Sequence, residues 1–146
     1  MMELSTKGRY AARMMVQLAV HHGADPMPKK ELAAEEEISA DYAEQILMKL
    51  KSAGLVVSHR GVHGGFTLGR KPPDITLKDI LEATEGRIGL APCRQSDCTR
   101  AADCVLRTVW SDLGDTIEKA LDDASLDKLA RQARRNQAAA PLSYNI

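Results

Sequence analysis

Aromatic residues are scarce in this sequence: one Phe, one Trp and three Tyr among 146 residues. Sheet cores favour β-branched and aromatic side chains. A chain that is 44% hydrophobic but only 3% aromatic therefore builds its core from Leu, Ile, Val, Met and Ala, which points to helices. Long apolar runs are also missing, and none approaches the ~20 residues of a membrane span. The first residues, Met1-Met2-Glu3-Leu4-Ser5-Thr6-Lys7, contain no apolar run followed by a cleavage site. No secretory leader is expected, and the expected location is cytoplasmic, with no membrane contact. No internal repeat, Cys-x-x-Cys pair, Gly-rich nucleotide loop or evident acid–base pair is present, so an enzyme is not expected. Cysteine is sparse too. Three thiols in a cytoplasmic chain argue against a disulfide framework and toward metal or redox chemistry.

Net charge is also absent, at zero. Its distribution is more telling. No acid occurs between Glu44 and Asp74, while that interval carries Lys49, Lys51, Arg60, Arg70 and Lys71 with His59 and His63. A local basic stretch neutralises phosphates even in a neutral chain. The same charges also suit an ordinary solvated face.

What is present is helical periodicity with clear punctuation. Ser5 or Thr6 caps a helix to about His22, where Gly23 stops it. Ala11, Met14, Met15, Leu18 and Ala19 form its buried stripe. A second helix covers about Lys29 to Glu36. Ser39 caps a third from Ala40 to Ala53, with Ile46, Leu47 and Leu50 inward and Gly54 as a left-handed cap. Leu55 to Arg60 and Phe66 to Leu68 read as two strands of a hairpin joined by a Gly-rich loop. Thr76 caps a short helix to Glu85. A long helix is expected from Ala101 or Ala102, with Val105, Val109, Leu113, Ile117 and Leu121 spaced four apart and Leu106, Trp110 and Ala120 flanking them. That stripe is wide enough to pack on the body and on a second copy. A final short helix spans about Ser125 to Arg135.

The expected fold is mainly α: a winged helix-turn-helix with a small two-stranded wing and a long C-terminal dimerisation helix. Its divisions are a DNA-binding domain over 1–85, a cysteine-bearing sensor loop over 86–104, the dimerisation helix and short final helix over 101–135, and a flexible tail over 136–146.

Several short motifs then combine. They are Ser5-Thr6-Lys7-Gly8-Arg9-Tyr10-Ala11, Ile38-Ser39 with Tyr42-Ala43-Glu44-Gln45-Ile46-Leu47, and Ala53-Gly54-Leu55-Val56. Arg60-Gly61 with Gly64-Gly65-Phe66, and Ile75-Thr76-Leu77 with Asp79-Ile80, complete the set. In order and spacing the chain resembles, over about residues 2–135, the IscR/NsrR/RirA-type family of transcriptional regulators. The resemblance implies a homodimer that binds a double-stranded DNA operator, usually as a repressor.

A recognition helix presents its N-terminal side chains to base edges in the major groove. Here those are Ser39, Tyr42, Glu44 and Gln45. Glu accepts from a cytosine amino group, and Gln pairs bidentately with adenine. Tyr42 suits either the core or a backbone contact. Arg60 at the wing suits a narrow, A·T-rich minor groove. Val62-His63 stand where the family commonly has Pro-Gly, and His63 adds a phosphate contact. Lys7 and Arg9 are candidate phosphate contacts or plain exposed charges.

Cys93 and Cys98 are separated by four residues, Cys98 and Cys104 by five. Thiolates select soft metals and iron–sulfur clusters. Structural zinc favours tighter pairs and four ligands. The polar loop around these thiols, with Gln95, Ser96, Asp97, Thr99 and Arg100, does not read as core. The resemblance implies an iron–sulfur cluster (2Fe-2S or 4Fe-4S) held by Cys93, Cys98 and Cys104 and a non-cysteine fourth ligand. The position of a family histidine is Arg107 here, and arginine, always protonated, does not ligate. The acidic ligand of another branch is replaced by Gly8. Asp97, Asp103, Glu3, a histidine of a second subunit or a small molecule are the substitutes. A thiol–disulfide switch without a cluster is the other reading.

Overall fold

The computed structural model describes residues 3–94 and 97–140. Its first helix, α1 (Thr6–Val20), is capped by Ser5, whose hydroxyl accepts from the Gly8 N–H at 3.0 Å. Helix α2 (Lys29–Glu35) is followed by a sharp turn in which Glu37 takes φ 55°, a left-handed conformation unfavourable for a side chain with a Cβ. Helix α3 (Ala40–Ser52) comes next, and Gly54, at φ 74°, carries the chain out of it. Strands β1 (Val56–His59) and β2 (Gly65–Leu68) pair antiparallel, with Val56 opposite Leu68 and His59 opposite Gly65. Helices α1 to α3 and this hairpin form the expected winged helix-turn-helix.

A 3-10 turn at Pro72–Asp74 leads into α4 (Leu77–Glu85). Thr76 and Asp79 cap its start reciprocally: each side chain accepts from the other's backbone N–H, at 3.2 and 2.9 Å. The long helix α5 (Val105–Asp123) and the last helix α6 (Leu126–Ala139) complete the described chain.

The core lies between α1, α2, α3, α4, the root of the wing and α6. Met14, Met15, Leu32, Ile46, Leu47, Leu50, Ile75, Ile80 and Leu126 are fully buried in it. Each such side chain contributes about 1.5–3 kcal/mol of hydrophobic stabilisation. Helix α6 returns across α1, where the Arg134 guanidinium donates to the Val20 carbonyl at 2.9 Å. A cation thereby meets the negative end of the α1 dipole.

Two helix ends differ from the sequence expectation. Helix α5 begins at Val105, not at Ala101 or Ala102. The N–H groups of Ala101 and Asp103 bond to the carbonyls of Cys98 and Arg100, three residues back, so this stretch is spent on turns. Helix α6 continues past Arg135 to Ala139, through part of the expected tail. Gln and Ala are good helix formers, and Gln132 donates to Asn136 at 2.8 Å. Ala140 is extended (ψ 132°), as the residue before Pro141 must tend to be. The rest of the expected tail, 141–146, lies outside the described residues.

Helix α5 is anchored mainly at its C-terminal end. Leu77 N–H bonds to the Ala124 carbonyl (2.9 Å) and Leu126 N–H to the Ile75 carbonyl (2.8 Å). Lys78 of α4 meets Glu118 at 3.3 Å, and that hydrogen bond holds the Lys78 pKa above its ordinary value. No helix among the described residues is long and apolar enough to cross a membrane.

Candidate nucleic-acid interface and sensor loop

The Ser39 hydroxyl accepts from the Tyr42 N–H at 3.1 Å. This bond fixes the first turn of α3 and commits that oxygen to capping. Ala43, Ile46, Leu47 and Leu50 point into the core, which leaves Asp41, Glu44, Gln45 and Met48 exposed on the other side. Tyr42 is half-buried, and its ring meets Tyr10 of α1 edge-to-face at 6.1 Å and 88°. Tyr10 in turn lies under the Arg13 guanidinium, 5.1 Å from its centroid, and Arg13 is ion-paired with Glu36. The Glu36 side chain is only 4% exposed, a buried charge that requires this partner. A chain of contacts thus runs from the α2–α3 turn through α1 to the head of α3. Of the two sequence readings of Tyr42, packing is the one with a visible partner.

Glu44 is not free on the α3 surface. Its carboxylate accepts from the Lys29 ammonium at 3.0 Å. In the wing, Arg60, Val62 and His63 are exposed at the tip, and Val62 is 98% accessible. His59 Nε2 and Thr67 Oγ1 are 2.8 Å apart across the two strands. The wing is also tied to the start of α2: Phe66 N–H donates to the Met27 carbonyl (2.8 Å), and Met27 N–H donates back (3.0 Å). Lys7 is half-buried and Arg9 exposed on the first turn of α1, with Arg9 3.4 Å from Thr6 Oγ1. These side chains form three groups, on α3, at the wing tip and on α1. No hydrogen bond or ion pair among the described residues joins one group to another.

The three cysteines are free and half-buried. Cys93 sits in a 3-10 turn (Pro92–Arg94), Cys98 in the following turns, and Cys104 at the N-cap of α5. Among the described residues no three His, Cys, Asp or Glu side chains lie close enough to hold a metal. Three thiols are the right donors for an iron–sulfur cluster. In chemistry the set fits such a group as three of four ligands. Cys93, Cys98 and Cys104 would hold it, and Arg107, exposed and cationic, would not. Asp97, Asp103 and Glu3 are all exposed.

Sequence reasoning passed over Glu85. Its carboxylate accepts from Ser5 N–H (3.2 Å) and Ser5 Oγ (2.7 Å), and it fills the space that a side chain at Gly8 would take. It thereby supplies the negative charge that the first turn of α1 lacks in sequence. With Leu4, Leu81, Arg87, Ile88 and Ile117, Glu85 also lines a cavity of about 300 Å³ between the N-terminus and α5. The Lys29–Glu44 and Arg13–Glu36 pairs were passed over as well. The one sequence signal was residue type, an acid near a base in a different helix, and that signal names no partner.

Residues 4–132 match the Rrf2 family, described as an iron-dependent transcriptional regulator. The chain belongs to the Rrf2 family. Like its relatives, this Rrf2 chain is a transcriptional regulator. It is 35% identical over 131 residues to the HTH-type transcriptional regulator IscR of Vibrio atlanticus, covering 89% of this chain and 76% of that one. The solved structure of IscR from T. potens superposes with a TM-score of 0.78 at 34% identity, covering 95% of this chain and 93% of the other. The structure of CymR, the global cysteine regulator of B. subtilis, gives 0.77 at 37% identity, covering 90% and 98%. The winged-helix architecture is common to these Rrf2 proteins.

Proposed function

We propose that this chain is a homodimeric repressor whose grip on a pseudo-palindromic operator is set by an iron–sulfur cluster at Cys93, Cys98 and Cys104. The observation that carries this reading is the placement of Cys104. It occupies the N-cap position of the helix whose apolar face is left open, so thiol chemistry and the expected dimer seam share one element. Val105, Leu106, Val109, Trp110 and Leu113 all lie exposed along the first half of α5. A second copy on that face orders two recognition helices ~34 Å apart.

In this reading α3 enters the major groove, where Glu44 and Gln45 meet base edges while Ser39 and Tyr42 hold the helix head. Arg60 and His63 bring the wing to the minor groove and phosphates, and Lys7 and Arg9 meet the backbone. A bound cluster supplies a centre sensitive to iron supply, redox state or nitric oxide. The chain's own part is mechanical. A change at Cys104 moves the backbone at the start of α5, and with it the seam that spaces the two wings. Such a change regulates only insofar as the two states differ in DNA affinity.

Anaerobic purification with visible absorption, iron and acid-labile sulfide assays tests this, followed by DNA retardation before and after oxidation. The expected result is a coloured protein whose DNA affinity changes when the colour is bleached. A colourless, iron-free protein with an oxidation-dependent affinity favours the second reading, a thiol–disulfide switch. Three free cysteines and the likeness to CymR support that alternative.

A further inference from the structure

The Lys29–Glu44 pair stands out among the surface ion pairs because one partner lies on the exposed side of α3. The ammonium is 3.0 Å from Glu44 Oε2, with the Lys29 side chain 31% exposed and that of Glu44 52%. A pair this exposed adds little to folding stability. Its position matters more. Lys29 is the first residue of α2, two residues after Met27, which is bonded both ways to Phe66 of the wing. The start of α2 is therefore tied to the root of the wing, and the Lys29 ammonium reaches from there to the recognition helix.

We propose that Lys29 is a specificity-determining residue that holds the Glu44 carboxylate in a neutralised, base-reading position. A bare carboxylate entering a groove is repelled by phosphates on both sides. An ammonium on Oε2 cancels that charge and leaves Oε1 to accept from a cytosine amino group. The remaining ammonium protons are left for a phosphate. Lys29 and Glu44 then act as one unit, and a base pair that offers no donor leaves the unit without its base contact. This rests on the proposed placement of α3 in the major groove.

A double-mutant cycle on the full-length protein separates the two levels. The probes are the tightest duplex that the wild type selects from a randomised 30-base-pair library, and the same duplex with each base pair changed in turn. Lys29→Met is expected to weaken the selected duplex about tenfold, whereas in the Glu44→Ala background it weakens it only two- to threefold, the loss of one phosphate contact. Lys29→Arg is expected to keep most of the affinity. An equal cost of Lys29→Met in both backgrounds, or no cost in either, overturns the proposal and leaves the placement of α3 standing. If Glu44→Ala changes neither affinity nor base preference, Glu44 does not meet DNA. The placement itself then fails, and the proposal with it.

Discussion

The winged body and helix α5 are built from similar residue types but have opposite packing. Every buried hydrophobic residue among those described comes from Ala11 to Leu81 or from Leu126 and Ala130. Helix α5, 19 residues long, buries only Gly114. Its Val105 is 83% exposed and its Trp110 37%. The body completes its own core, whereas α5 carries a comparable apolar stripe to the surface and leaves it uncovered. An uncovered apolar stripe of this extent marks an interaction face. The body thus accounts for the fold, and the proposed assembly and signal fall to α5 and the loop before it.

The sharpest way to break this comparison is to charge the α5 face. Val109→Asp with Leu113→Asp places two carboxylates on the proposed seam and touches no core residue. The protein is expected to sediment as a monomer with its helical circular dichroism intact. Operator affinity falls by about 10²–10⁴, the avidity of two linked half-site contacts. An unchanged dimer in the ultracentrifuge would remove α5 from the interface.

The converse substitution belongs in the body. Leu47 is fully buried on the inner side of α3. Leu47→Ala is expected to cost about 2–5 kcal/mol in denaturant unfolding. Exposed Leu106 on α5, truncated the same way in the monomeric variant, is expected to cost under about 0.5 kcal/mol. Similar costs at both sites would erase the contrast between the regions.

Arg13 tests how the body holds the recognition helix. Arg13→Leu leaves the Glu36 carboxylate, 4% exposed, without its ion-pair partner. Removing one member of a buried pair costs about 3–5 kcal/mol; Arg13 itself is largely exposed, so about 2 kcal/mol is expected. Glu36→Gln, which removes the charge along with the contact, is expected to cost less. Thermal unfolding of the two variants gives the order.

How legible these features were depended on how local their causes are. Ser39 and Gly54 could be read directly, because a cap and a left-handed exit are decided within four residues. The stripes of α1 and α3 followed from periodicity. Ala101 and Ala102 misled because their helical preference yields to turns closed by Cys98 and Arg100, which composition does not reveal. The packing of Tyr42 has no local signature, because its ring partner Tyr10 lies 32 positions away in the chain. Lys29 with Glu44, and Glu85 with Ser5, join separate helices and have no short-range signature. The contacts of Glu44, Gln45, Arg60 and His63 with DNA, and the ligand role of the cysteines, rest on resemblance and residue chemistry. Contacts made across an interface leave no trace in the periodicity or spacing of one chain.

The smallest effect expected is also the one that best separates folding from function. Lys7 lies in the first turn of α1, where no acid occurs and where the helix dipole is positive. A cation there is unfavourable for the helix by about 0.3–1 kcal/mol, offset in part by Glu85 beside Ser5. Lys7→Ala should therefore raise the unfolding midpoint slightly. If Lys7 meets a phosphate, the same change weakens binding to every duplex alike, by a few-fold, and lowers the salt slope by about one. The two readouts move in opposite directions. A loss of stability together with a loss of affinity would mean that Lys7 supports the fold. A change confined to particular base pairs would mean that α1, and not only α3, reads sequence.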